Sequence, residues 1–251
     1  RVLATCCHTR SARCCSRSQT MKSAILTICS IATLVLSGCA SFRNAAPGDP
    51  LEPINRGIFS FNSTFDHYLF KPIAKGYDAA VPDPVKKGVS NVFQNASDAQ
   101  SIVSDALQLK GAKMGDDLGR VMINTTIGLG GLFDLATPMG IERGNEDLGQ
   151  TLGYWGLGAG PYLVIPFLGP STARDLVGRY GDGKIDPVAL VSSVPLRNSL
   201  MGARVVDTRV ALFPAEALMN QAALDRYTFM RSAYLQRRES LVLDGKRPKE
   251  D

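Results

Sequence analysis

The sequence predicts a mostly α-helical protein with a single folded domain and an apolar helical hairpin. Three observations support this fold class. Apolar residues recur at intervals of three or four, Asp-Pro pairs and a capping box mark helix starts, and alternation with a period of two is confined to a weak run at 162–167. The predicted domain, residues 49–243, is long enough to bury one sizeable core.

The first 38 residues have the pattern of a secretory leader that ends at a cysteine. Residues 1–20 lack methionine and are interpreted as an upstream translated segment, whereas 21–38 combine a basic start with an apolar core and form a predicted signal peptide. The ending Leu36-Ser37-Gly38-Cys39 resembles the lipobox of bacterial lipoproteins. This resemblance implies cleavage before Cys39 and a covalent lipid on its sulfur. The alternative, a transmembrane helix with an incidental cysteine, would need a longer apolar run.

The exported part would then begin with a short lipidated tether. Residues 39–48 are small and polar and include Pro47-Gly48, which is typical of a linker. In the usual sorting pattern of lipoproteins, an acidic residue after the cysteine retains the protein in the inner membrane. Ala40 occupies that position here, which predicts a lipid-anchored protein at the periplasmic face of the outer membrane.

Removing the leader changes what the composition implies. All five basic residues before Cys39 belong to the leader, which leaves 23 basic residues against 23 acidic ones. This balance gives no support for a nucleic-acid partner. Five of the six cysteines also lie in the leader, so we expect no disulfide framework, no thiolate metal site and no cofactor besides the covalent lipid on Cys39.

The exported part also lacks the residues of common catalytic centres. Its one histidine, His67, lies on the first predicted helix, where a structural role is the default expectation. Residues 169–173 miss the last glycine of a nucleophile elbow, and 178–184 are followed by Ile185 where a phosphate-binding loop needs Ser or Thr. The sequence therefore predicts neither catalytic residues nor a metal site.

Helix signals cover most of the predicted domain. Asp-Pro pairs at 49–50, 83–84 and 186–187 predict helix starts, because Asp can cap free N–H groups and Pro fits the first turn. An apolar stripe follows the first pair, Thr172 and Asp175 form a predicted capping box, and another amphipathic helix is predicted near the C-terminus. The last segment, 244–251, is charged and contains a proline, which predicts a disordered tail.

Two charge-free runs in the middle of the chain predict a hairpin. Residues 121–133 and 148–173 contain no charged side chain, and a charged connector at 141–147 separates them. The second run is long enough to span a bilayer, but its six glycines and three prolines argue against one straight helix. Bent apolar segments of this kind can lie at membrane depth against protein. The alternative is an ordinary buried core, rich in glycine because its helices pack closely.

Several motifs together resemble the VacJ/MlaA family of outer-membrane lipoproteins. They occur in order over nearly all of residues 49–243, so the resemblance is stronger than a single motif would allow. The motifs are Asp49-Pro50-Leu51-Glu52, Asn55-Arg56, Asn124-Thr125-Thr126-Ile127-Gly128, Glu146-Asp147-Leu148-Gly149-Gln150, Gly160-Pro161-Tyr162, Arg174-Asp175 and Tyr234-Leu235-Gln236-Arg237-Arg238.

The resemblance implies a ring-like helical protein in the inner leaflet of the outer membrane. Its function would be to remove mislocalised phospholipids from the outer leaflet, beside a trimeric outer-membrane porin. It would pass them to a soluble periplasmic lipid carrier of an ABC transport system. An alternative is a structural lipoprotein that braces a porin without a lipid channel, and a lipid-modifying enzyme is disfavoured by the missing catalytic residues.

Within that family role, we expect the apolar hairpin to line or gate the lipid channel. Such a channel needs apolar segments at membrane depth and glycines where segments bend or approach closely. The candidate residues are Ile127, Gly128, Leu129, Gly130, Gly131, Leu132, Phe133, Leu152, Tyr154 and Trp155.

Overall fold

The computed structural model describes residues 49–246, which form nine α-helices and one two-stranded sheet. The helices are α1 (Glu52–Phe65), α2 (Lys71–Ala80), α3 (Asp83–Leu107), α4 (Gly111–Thr126), α5 (Leu148–Tyr154), α6 (Ala173–Ile185), α7 (Val194–Ala211), α8 (Phe213–Ala222) and α9 (Arg226–Val242). A π-helical turn (Asp66–Phe70) follows α1, a 3₁₀ helix (Thr137–Met139) follows α4, and strands β1 (Tyr162–Ile165) and β2 (Gly169–Thr172) precede α6. The predicted mostly helical domain is confirmed.

Contacts divide the chain into two compact units, residues 1–53 and 54–251. Only 49–53 of the first unit are described. The upstream segment, signal peptide and tether predicted for 1–48, including Cys39, lie outside the described residues, as do 247–251 of the predicted tail. Asp244, at the start of that predicted tail, is held by ion pairs of 2.6 Å to both Lys110 and Lys113.

Helix α1 carries the predicted apolar stripe, but the protein covers only part of it, since Ile58 packs against the buried hydrophobic cluster and Phe65 contacts Phe167. Ile54 and Phe61 are exposed, as is Leu69 in the π-helical turn, whereas Asn55 is the buried residue of this helix. The periodicity identified the helix, because an apolar stripe stabilises a helix against any apolar surroundings. It did not identify which face the protein covers.

The capping signals of α6 show one correct and one wrong prediction. The hydroxyl of Thr172 accepts a hydrogen bond of 3.2 Å from the N–H of Asp175, so the predicted helix start and its Thr172 cap are confirmed. Asp186 was expected to start a helix but follows the last residue of α6, and its carboxylate accepts from the N–H of Val188. The reason is that Asp before Pro also stabilises a turn.

The predicted helical hairpin is wrong for its second arm. The first arm continues α4 to Thr126 and then breaks into turns. The second arm is the short helix α5, a loop and the antiparallel pair β1–β2, in which Tyr162 lies opposite Thr172 and Ile165 opposite Gly169. Three prolines and six glycines in 26 residues prevent a continuous helix there.

Two asparagines of α1 hold strand β1 and the tip of its hairpin. Each donates from its side-chain nitrogen to a backbone carbonyl and accepts, with its side-chain oxygen, from an N–H two residues further on. The side chains therefore replace the neighbouring strand that this edge of the sheet lacks. The bonds are Asn55 to the Tyr162 carbonyl (3.0 Å), Val164 N–H to Asn55 (2.9 Å), Asn62 to the Ile165 carbonyl (2.9 Å) and Phe167 N–H to Asn62 (2.8 Å).

Among the described residues, the largest fully buried side chains are polar, and many large apolar side chains are exposed. The largest fully buried side chains are polar or charged, namely Arg120, Gln108, Gln150, Asn55, Thr151, Thr172, Asp49, Asp98, Asp105, Asp117, Ser104 and Ser171. Large apolar side chains on α1, α4, α6, α7 and α8 are exposed instead. The buried hydrophobic cluster is small and is formed by Tyr162, Val164 and Tyr227. Among residues 49–246, no helix combines the length and the hydropathy that a membrane-crossing segment needs.

Candidate functional site

The first group of candidate residues, 127–133, forms exposed turns after α4. Ile127, Leu129 and Phe133 have exposed side chains. Gly130 and Gly131 have φ angles of 73° and 90°, which favour glycine, and Leu129 adopts the same left-handed conformation with φ 53°. Gly128 is buried so closely against the carbonyls of Asn124 and Phe133 that a Cβ would collide with both.

This turn segment lies against the N-terminal half of α3. The side chain of Asn91 donates to the Leu132 carbonyl at 3.1 Å. A Cβ on Gly131 would come within 2.9 Å of the Asn95 side chain, and one on Gly88 within 2.7 Å of Leu132. Gly131 and Gly88 therefore allow the close approach that the sequence analysis expected of glycines in this region.

The second group of candidates, on and after α5, lies at the opposite end of α3. The Trp155 indole N–H donates to the Leu107 carbonyl at 3.2 Å, and Lys110 lies 5.3 Å from the centre of the Tyr154 ring. Asn91 and Leu107 are separated by about 24 Å along a helix axis. The structure therefore does not bring the two groups into one gate, and a role in the channel stays a prediction for each group separately.

A buried ion-pair network holds the loop that contains the first group. Arg120, 1% exposed, contacts Asp98 at 3.1 Å and both oxygens of Asp134 at 3.2 Å, and it also donates to the Ile141 carbonyl at 2.7 Å. Arg143 joins the network through Asp98 at 2.7 Å. Because buried charges are tolerated only when paired and hydrogen-bonded, this network fixes the loop on α3 and α4.

The network moves the pKa values of its two aspartates in opposite directions. Burial raises the pKa of Asp98, and the guanidinium groups of Arg143 and Arg120 oppose that effect only in part. Burial would also raise the pKa of Asp134, but hydrogen bonds from Thr137 and the charge of Arg120 lower it to about 2. Asp134 therefore stays ionised at neutral pH and anchors the loop end.

A second ion-pair network connects the two ends of the second charge-free run, residues 148–173. Arg238 of α9 lies 2.9 Å from oxygens of both Asp147 and Asp175, and Arg174 contacts Asp175 at 3.0 Å. The Tyr234 hydroxyl donates to Asp175 at 2.8 Å. Although burial opposes ionisation, Arg238 holds the pKa values of Asp147 and Asp175 below their usual value, so these carboxylates are charged.

Neither network was predicted from the sequence, although the charged residues that form them stand at recognisable positions. Arg120 and Asp134 are the charged residues that bound the first charge-free run, and they contact each other. Asp147 and Arg174 bound the second run, and Arg238 with Asp175 connects them. Each run is therefore a segment whose two ends are joined by ion pairs. The charged residues at the borders of the runs were the sequence signal that could have identified these networks.

A third cluster joins α3, α4 and the connector 141–147. The carboxyl groups of Asp105 and Asp117 are both buried and each affects the ionisation of the other, and the Gly144 N–H donates to Asp117 at 3.0 Å. Burial, followed by the charges of Asp117 and Glu146, raises the pKa of Asp105 to about 7. Glu146 is itself paired with Lys113 at 2.9 Å. Asp105 therefore titrates near neutral pH.

An open cleft lies beside the second network. Its volume of about 490 Å³ is within the range of small-molecule sites. One part of the lining is apolar and another consists of the paired arginines, so the cleft can accept a molecule that is itself part apolar and part charged. The lining residues are Ala159, Thr172, Arg174, Leu235, Arg238, Glu239, Val242 and Leu243.

Comparison with known proteins gives a consistent family. The intermembrane phospholipid transport system lipoprotein MlaA of Escherichia coli (strain K12) is 32% identical over 233 residues, covering 90% of this chain and 92% of that protein. The protein of the same name from Haemophilus influenzae is 30% identical over 234 residues, covering 90% and 93% of the two chains. These relatives are named as transport lipoproteins and not as enzymes.

A solved structure and a family profile agree with these relatives. The structure comes from work on the structural basis for maintenance of bacterial outer membrane lipid asymmetry. It matches with a TM-score of 0.68 and 30% identity, covering 78% of this chain and all of that chain. The profile described as MlaA lipoprotein matches residues 47–241. The chain therefore belongs to the MlaA lipoprotein family.

Proposed function

We propose that this protein is an outer-membrane lipoprotein that removes mislocalised phospholipids from the outer leaflet and thereby maintains lipid asymmetry. A lipid on Cys39 anchors it at the periplasmic face of the membrane. It works beside a trimeric porin and passes phospholipid to the soluble periplasmic carrier of an ABC transport system. The single observation that carries this proposal is the inverted distribution of polar and apolar side chains.

Exposed apolar side chains around buried polar ones fit a protein surrounded by lipid. In water, exposed apolar patches of more than a few hundred Å² are unfavourable, whereas acyl chains solvate such side chains. Buried arginines such as Arg120 and Arg238 have carboxylate partners inside the protein, as charges at membrane depth require. We propose a seat within one leaflet, where the exposed apolar side chains contact acyl chains and the lipid on Cys39 holds the protein.

Buried polar side chains next to exposed apolar ones also fit phospholipid as the transported molecule. Exposing acyl chains to water costs about 0.8 kcal/mol per CH₂, or on the order of 20 kcal/mol for a whole phospholipid. A protein that shelters the chains removes this cost without making or breaking a bond. We propose that the cleft beside Arg174 and Arg238 is part of the route, because its lining offers apolar surface to chains and hydrogen-bonding groups to a head group.

Deleting the gene and measuring phospholipid on the cell surface tests the proposed function. We expect surface phospholipid to rise in the deletion strain, as read by an outer-leaflet lipid reporter, and to return to normal when the wild-type protein is supplied. Sensitivity to detergent with EDTA should follow the same pattern. Unchanged surface phospholipid in the deletion strain would refute the proposal and favour a lipoprotein that only braces a porin.

A further inference from the structure

The turn between α3 and α4 presents a leucine where glycine or asparagine is favoured. Leu109 has a φ angle of 57°, in the left-handed region that disfavours residues with a Cβ. Its side chain is 90% exposed. Packing within the protein therefore does not explain the apolar side chain at this strained position.

The N–H groups of this turn and the Leu107 carbonyl are hydrogen-bonded within the protein. The Leu107 carbonyl, which belongs to the unpaired end of α3, accepts from the Trp155 indole. The turn can therefore leave water without breaking these hydrogen bonds, which is the condition for backbone at membrane depth. The N–H bonds of the turn are Gln108 to Ser104 (3.0 Å), Leu109 to Ala106 (3.1 Å) and Lys110 to Asp105 (3.0 Å).

Two exposed aromatic residues flank the turn. Trp155 is 58% exposed and Tyr154 is similarly exposed, and these residue types concentrate where a bilayer meets water. The nearest cation, Lys110, is paired with Glu146 at 3.2 Å and with Asp244 at 2.6 Å. Its charge is therefore compensated within the protein and does not provide a free anion-binding group.

We propose that this surface inserts into the boundary between the head groups and the acyl chains of a lipid bilayer. The Leu109 turn, defined as Leu107–Lys110 together with Tyr154 and Trp155, places Leu109 among the upper acyl chains and the two aromatic rings at the head-group level. Because the lysine is neutralised, insertion depends on apolar contact and not on anionic lipid. The inference rests on the membrane location in the proposed function. It adds which element of the protein sets how deeply the protein inserts into the bilayer.

Tryptophan fluorescence can measure how deeply the Leu109 turn inserts into the bilayer, because Trp155 is the only tryptophan of the sequence. The full-length lipidated protein is reconstituted into phosphatidylcholine vesicles that contain lipids brominated near the glycerol, at mid-chain or near the methyl end. We expect Trp155 fluorescence to be quenched most by bromine near the glycerol and least by bromine near the methyl end. Added salt should leave this order unchanged.

Paired leucine substitutions test whether Leu109 sets the depth. Leu109→Asn keeps a residue that tolerates the left-handed conformation, so unfolding midpoints should stay equal or rise, while quenching of Trp155 should fall by at least half. Leu129→Asn is the matched control, with the same substitution and backbone conformation at the other end of α4, and should leave Trp155 quenching unchanged. Equal losses in the two variants, or no loss in Leu109→Asn, would overturn the inference.

A second reporter separates failure of this inference from failure of the proposed function. In a Trp155→Phe background, Phe167→Trp places the only tryptophan at the exposed tip of the β1–β2 hairpin. Quenching of that reporter without quenching of Trp155 would overturn the inference and leave the membrane seat intact. Absence of quenching for both tryptophan reporters would refute the proposed location of the protein in the membrane. Loss of Trp155 quenching on adding porin trimers would assign the turn to the porin and also overturn the inference.

Discussion

At the scale of single residues, several charged side chains of this protein are buried with partners while many leucines and phenylalanines are exposed. Arg120 is the clearest case, because it is almost fully buried and contacts carboxylates from α3 and from the loop after α4. Removing one partner of such a pair leaves an uncompensated buried charge and costs more than the pair contributes. The networks therefore make the loop conformations strongly dependent on single aspartates.

The raised pKa of Asp105 predicts how the free energy of unfolding depends on pH. Its pKa in the folded protein is about 7, against a usual value of 3.8, so the folded protein holds a proton that the unfolded chain releases between about pH 4 and pH 7. Stability should therefore fall as the pH rises through this window. Asp105→Asn mimics the protonated group and should stabilise the protein by about 1–4 kcal/mol near pH 8 but change little near pH 4.

Chemical unfolding at the two pH values checks this prediction. Asp116→Asn is the matched control, because it removes the same charge from an exposed position on α4 and should stay within about 0.5 kcal/mol at both values. The same gain from Asp105→Asn at low and high pH would contradict the raised pKa of Asp105 in the folded protein.

At the scale of elements, the asparagine contacts of α1 predict how the β1–β2 hairpin is held. Asn62→Leu removes the partners of the Ile165 carbonyl and the Phe167 N–H, and each unpaired backbone group costs about 1–3 kcal/mol if it stays buried. We expect faster amide exchange at Phe167, with helix content preserved. Ser60→Ala, exposed on the same helix, should change neither. Unchanged amide exchange at Phe167 would show that the Asn62 side chain does not hold the tip of the β1–β2 hairpin.

Local signals predicted the helices well and the charge-free runs poorly. Periodicity and the Thr172 cap depend on neighbours within a few residues, so they could be read from the sequence. The β1–β2 hairpin depends on Asn55 and Asn62, more than a hundred residues away, and the networks depend on Arg238 of α9. The candidate residues 127–133 were correctly expected to need glycine, but their separation from Trp155 follows from the length of α3.

At the scale of the whole molecule, attachment to the membrane is predicted to depend on Cys39. Cys39→Ala removes the sulfur to which the lipid would be joined, whereas the ion pairs that hold residues 54–246 are all distant in sequence from this position. We expect the variant to fold but to lose lipid labelling and outer-membrane retention. Metabolic labelling with a radioactive fatty acid checks this, with Cys29→Ala in the signal peptide as the control. Persistent label in Cys39→Ala would contradict the lipobox assignment.

The central claim is that phospholipid leaves the outer leaflet through a sheltered route inside an apolar-surfaced protein. Filling the cleft tests it most directly. Ala159→Phe adds a ring to the smallest side chain of the cleft lining, and Ala79→Phe adds the same ring to an exposed position on α2. Both variants are supplied to the deletion strain at matched outer-membrane abundance, and surface phospholipid is measured. We predict a rise towards the deletion level for Ala159→Phe and a normal level for Ala79→Phe, whereas normal surface phospholipid with the cleft filled would contradict the route.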